Sequence, residues 1–107
     1  MKYLVTMKVV ETKLPTSPQG MVQHLEQQVI PSHQACVKLE AEKKILAGGS
    51  QVGRRAEVFI VEMASNEELD QLLRSLPLWP MWEVDVIPLQ SYEEVLSKER
   101  QLLECLK

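Results

Sequence analysis

Few side chains in this 107-residue chain can exchange a proton near neutral pH. They are His24 and His33, with the carboxylates Glu26 and Glu40 in the same stretch and Glu57, Glu83 and Asp85 farther along. Imidazole titrates near neutrality, and a carboxylate joins it as acid or base when burial raises its pKa. His33 follows Pro31, where a kinked helix would turn side chains toward a pocket, and it is the first candidate for a catalytic base. Glu26 stands one turn from Val22 and Val29, bordering an apolar stripe, and is the second. Each also has a plain reading as a solvated helical side chain. Glu83 and Asp85 share one strand face and can divide acid and base roles, or sit at a sheet surface near a cation such as Lys8.

Arg54 and Arg55 follow Gly53, and a guanidinium there can grip a substrate carboxylate through two parallel hydrogen bonds. Paired arginines at a hairpin end are otherwise solvated or ion-paired. Trp79 and Trp82 are the aromatic candidates for lining a pocket; the alternative for Leu78 and Trp79 is a plug in the core or in a subunit contact.

Other chemistries are poorly supplied. Cys36 and Cys105 lie far apart with no CxxC or Cys/His cluster, so no metal site is expected and free thiols are the plain reading. Twelve Lys and Arg stand against fifteen acidic residues, a net charge of -3, with no basic run beyond Lys43-Lys44 and Arg54-Arg55. Nucleic acid and anionic membrane are poor partners for such a surface. No apolar stretch approaches the length that spans a bilayer, and Met1 to Lys8 alternates like a strand rather than a signal peptide. The expectation is a cytoplasmic protein.

The elements that must position these residues follow from periodicity. Residues 2–11 alternate with period two, as a strand does, with apolar residues on both faces. Ser17 before Pro18 reads as a helix cap, and apolar residues at helical spacing carry that helix to about Lys43, with a kink or short break near Ile30 caused by Pro31. Ile45 to Ser50 leads through Gly53 into the β-branched run Glu57 to Met63, a hairpin. Ser65 and Glu68 form a capping box for a helix that stops ahead of Pro77. Trp82 to Leu89 alternates as a fourth strand, and Ser91 opens a last helix. The order β-α-β-β-α-β plus a C-terminal helix is an α+β, ferredoxin-like arrangement: two helices cover one face of a four-stranded antiparallel sheet. The other face is apolar enough to call for a partner, which a symmetric homodimer supplies.

The run Leu72-Leu73-Arg74-Ser75-Leu76-Pro77-Leu78-Trp79-Pro80-Met81-Trp82-Glu83-Val84-Asp85-Val86 resembles the muconolactone isomerase family, in which a helix leads into a Leu-Pro-Leu-aromatic-Pro segment and then an acidic, β-branched strand. Met1 to Val9 and Gly53 are similar too, so the resemblance covers residues 1–90, taken as the domain, with 91–107 a helical extension. It implies a dimeric α/β barrel, dimers assembled into larger rings, and cofactor-free isomerisation of an unsaturated carboxylated lactone in aromatic-compound catabolism. Such a reaction needs a tuned base and a donor to the carbonyl oxygen, without metal or nucleotide. Arg54 stands where family members carry a histidine. Ile45 to Gln51 replaces a Trp- and Arg-bearing segment, and an ungapped alignment puts Gln34, next to His33, where an acidic residue is expected. Two alternatives stand beside the isomerase: a non-catalytic ferredoxin-like oligomer binding a small apolar ligand, and a cofactor-free oxygenase or lyase on the same barrel.

Overall fold

The computed structural model describes residues 1–107. Alternation at the N-terminus becomes strand β1, Lys2–Val9. It ends two residues short of the expected Glu11, because Glu11–Lys13 closes a 3-10 turn. Ser17 accepts a hydrogen bond from the Gly20 N–H and starts helix α1, Pro18–His24, with Pro18 at a position whose missing N–H costs nothing.

Pro31 was expected to kink or break this helix. The structure resolves the conflict differently. Leu25–Val29 forms a π turn, in which the Ile30 N–H bonds to the Leu25 carbonyl five residues back, and the helix continues as α2, Ile30–Ala41. In a regular α-helix the proline ring would meet the carbonyl four residues earlier; the extra residue in the turn moves that carbonyl away. The helix stops at Ala41 rather than Lys43, since Lys43 takes a left-handed conformation with φ of 61°. Lys44 then donates to the Leu39 carbonyl, the closing bond of a Schellman cap.

Strands β2, Ile45–Ser50, and β3, Ala56–Glu62, form the hairpin, with a bulge between Ile45 and Ala47. Gly48 is required there: its φ is 131°, and a Cβ would sit 2.2 Å from the Val58 carbonyl oxygen. Helix α3, Asn66–Ser75, is capped by Ser65 as expected and leads through a 3-10 turn, Trp79–Met81, into β4, Trp82–Leu89. Helix α4, Tyr92–Leu106, follows a Ser91 cap.

The sheet order is β2-β3-β1-β4 with every pairing antiparallel, the ferredoxin-like topology. Register assigns the faces. Tyr3, Val5, Met7 and Val9 share the helix side with Val61, Phe59 and Glu57 of β3 and with Trp82 of β4. Leu39, Leu69, Leu73, Leu76 and Leu78 close the core over them. On the opposite side Leu4 lies between Ile60 and Ile87, Thr6 between Val58 and Asp85, and Lys8 between Ala56 and Glu83. No helix covers that side.

Helix α4 buries none of its residues, and Tyr92, Leu96, Leu102, Leu103 and Leu106 remain exposed. It does not dock on the body. The radius of gyration is accordingly 17.9 Å, against about 13 Å for a compact domain of this length. No helix is long and apolar enough to cross a membrane.

The Leu76-Pro77-Leu78 segment is tied to the long helix by two side chains. Ser32, fully buried, accepts from the Leu78 N–H at 3.1 Å, and Gln28 donates to the Pro77 carbonyl at 3.5 Å. Removing the hydroxyl leaves a buried N–H without an acceptor. Ser32→Ala is expected to lower unfolding stability by about 1–3 kcal/mol in urea titrations; an unchanged midpoint and slope would contradict this anchoring.

Candidate functional site

Glu57 is the one carboxylate that the sheet register directs among the core residues, level with Met7. A carboxylate so placed must be partnered or neutralised. Its partner is His33, which α2 carries one residue beyond the anchored Ser32. His33 Nε2 lies 2.6 Å from Glu57 Oε1, with the carboxylate side chain 11% exposed and the imidazole 45%. The carboxylate accepts, so Nε2 carries a proton and Nδ1 is the free ring nitrogen.

This pair opens on a cavity of about 210 Å³ between the long helix and the β2–β3 end of the sheet. Val9, Met21, Leu25, Val29, Leu78 and Trp82 form its apolar wall. Its polar groups are His24, His33, Ser50, Arg54, Arg55 and Glu57. An apolar enclosure with a few converging polar groups is the usual form of a small-molecule site. A wider open groove of about 900 Å³ lies beyond the same arginines, along Lys8 to Glu11 and Glu83, but no imidazole lines it. Both imidazoles lie at the smaller cavity.

Of the six residues given a catalytic or binding role from the sequence, four meet here: His33, Arg54, Arg55 and Trp82. Their situations differ. Arg55 is half-exposed and pairs with Glu11 at 3.5 Å, whereas Arg54 makes no ion pair and is free to receive an anion. Trp82 is 8% exposed and forms wall.

Two others are not brought in. Glu26 lies on the π turn, exposed to solvent and away from the cavity; two residues beyond buried His24 it falls on the opposite helical face, and Val22, one turn before it, is itself exposed. Trp79 packs against the core and under the Arg74 guanidinium, 5.1 Å from the ring centroid, so it acts as a plug. Glu83 faces the uncovered side of the sheet, 3.7 Å from Lys8, with Asp85 beside it on the same face. Cys36, half-buried one turn beyond His33, has its thiol pKa raised, first by burial and then by the negative charges of Glu57 and Glu40. It stays a protonated thiol. Cys105 is exposed on α4.

Sequence reasoning gave less weight to His24 and to the role of Glu57. The signal for Glu57 was its place two residues from Phe59 in an alternating strand, a carboxylate in an apolar row. For His24 it was Gln28, four residues on and on the same helical face.

The sequence model for muconolactone delta-isomerase matches residues 1–94. The chain belongs to the muconolactone delta-isomerase family. Among solved structures, muconolactone isomerase superposes with a TM-score of 0.68 over 86% of this chain and 91% of its own, at 23% identity. The 5-chloro-2-hydroxyhydroquinone dehydrochlorinase of Burkholderia phenoliruptrix AC1100, in complex with 2,5-dihydroxybenzoquinone, superposes at 0.58 over 88% and 98%, with 18% identity. At such identities the likeness is one of fold. No curated protein sequence matches the chain. The muconolactone isomerase match ends three residues into α4, so most of that helix lies beyond it.

Proposed function

We propose that the protein is an isomerase that shifts a carbon–carbon double bond within a small unsaturated carboxylated lactone of the muconolactone type. The observation that carries this reading is the His33–Glu57 pair at 2.6 Å, opening on the same cavity as the unpaired Arg54. Moving the double bond removes a proton from one carbon and delivers one to another, while negative charge spreads onto the lactone carbonyl between the two steps. His33 is the acid–base group, and Glu57 offsets the positive charge its ring takes up. Arg54 holds the carboxylate and so sets which carbons face the imidazole. Ser50 and Arg55 are the further donors available to the carbonyl oxygen. The apolar wall from Val9, Leu78 and Trp82 strengthens each of these charges by excluding water.

Proton NMR in deuterated water follows both the double bond and the entering deuteron. The wild-type protein is expected to isomerise muconolactone and to place deuterium on the carbon that receives the proton. His33→Ala should lower kcat by about 100- to 10,000-fold, the usual scale of general acid–base catalysis. Arg54→Ala should act mainly on KM, by about 10- to 100-fold, as for a lost charge-assisted hydrogen bond. Absence of turnover and of deuterium uptake by the wild-type protein would reject the reading.

The working form is a homodimer, and dimers joined into rings are compatible with it. Support comes from the uncovered sheet side, where Ile87 is 51% exposed beside half-buried Leu4 and Ile60 in a contiguous apolar strip. Packing two such faces together is the symmetric solution. Light scattering across a dilution series should return at least twice the 12.2 kDa chain mass; a monomer at every concentration would rule this assembly out.

A further inference from the structure

His24 lines the cavity opposite the role given to His33, and its own environment is unusually determinate. The residue is 5% exposed. Its Nδ1 lies 2.6 Å from Gln28 Oε1, and the other end of that amide, Nε2, reaches the Pro77 carbonyl at 3.5 Å. A carbonyl can only accept. The amide nitrogen must therefore face Pro77, which turns its oxygen to His24, and the imidazole must donate from Nδ1. A neutral ring then has its lone pair on Nε2. No side-chain nitrogen or oxygen in the protein is sealed from solvent without a partner, so Nε2, which bonds to nothing, is accessible, on a residue that lines the cavity.

His33 is wired in the opposite sense. Glu57 holds a proton on its Nε2, so that a second proton taken up by the ring goes to Nδ1, from which it can be given away. The cavity thus has a neutral acceptor on one ring and, when His33 is protonated, a donor on the other. No carboxylate is hydrogen-bonded to His24 as Glu57 is to His33.

We infer that His24 is a second catalytic residue, the base that takes the proton from the lactone, while the His33 imidazolium returns one to the other carbon. This rests on the isomerase reading above. The balance is one proton in and one out: the C–H bond breaks to His24 Nε2, the electron pair moves through the enolate, and a new C–H bond forms with the His33 Nδ1 proton. Solvent entering the cavity then discharges His24 and reprotonates His33.

Two measurements test it. Nitrogen-15 NMR of the imidazoles in the ligand-free protein should find His24 protonated at Nδ1 and bare at Nε2; a proton on Nε2 with Nδ1 bare overturns the inference. In deuterated water with muconolactone, His33→Gln should still exchange the starting proton for deuterium without moving the double bond. His24→Gln should do neither, its isomerisation falling about 100- to 10,000-fold. Undiminished isomerisation in His24→Gln, or exchange without isomerisation in that variant, overturns the assignment. Should the wild-type protein not act on muconolactone at all, the proposed reaction falls, and the nitrogen-15 result alone then upholds or overturns His24 as the poised base. The same holds if His24→Gln does not fold.

Discussion

The contact between His33 and Glu57 is the constraint around which the rest of the molecule is arranged. A carboxylate on the helix-facing side of the sheet, in the row of Phe59 and Val61, has lost most of its water. Without a partner it would cost several kcal/mol or give up its charge. The imidazole supplies that partner only if the long helix crosses the sheet at one height and in one rotation. Ser32 and Gln28 hold that position from the far side by gripping the backbone of the Leu76-Pro77-Leu78 turn. The proline-rich turn and the His33–Glu57 pair are thus two ends of one alignment, with α2 as the bar between them.

Chemistry at this site is divided among elements far apart in the chain. The helix brings two imidazoles, the β2–β3 hairpin brings the guanidiniums and Ser50, and the turn before β4 brings Leu78 and Trp82 as wall. The π turn is what lets one helix carry both rings. It absorbs Pro31 without breaking the rod, so that His24 before it and His33 after it border the same cavity. Gln28 lies within that turn and sets the proton position on His24, linking the backbone irregularity to the electronic state of a side chain.

Much of the fold was legible because the signals were local. Alternation marked β1 and β4, a β-branched run marked β3, and Ser17, Ser65 and Ser91 each accept the capping bond expected of them. The Leu-Pro-Leu-Trp-Pro run marked the family through the turn chemistry of two prolines. What escaped was non-local. Pro31 announced an irregularity, but whether a helix answers with a break or with an added residue depends on what it packs against. Glu26 looked like a border residue only while Val22 was counted in the buried stripe, and Val22 faces solvent. For Trp79 the sequence offered both a plug and a pocket lining, and only the fold decides, sending Trp79 under Arg74 and Trp82 to the cavity. That α4 finds no surface on its own body is a tertiary fact that periodicity does not contain.

The most direct test of the whole account is a crystal structure of the protein soaked with muconolactone under conditions that slow turnover. The account predicts the lactone in the cavity beside the His33–Glu57 pair, its carboxylate on the Arg54 guanidinium and its reacting carbons between the two imidazoles. A lactone ordered instead in the open groove along Lys8 and Glu83, or on the uncovered side of the sheet, would contradict it.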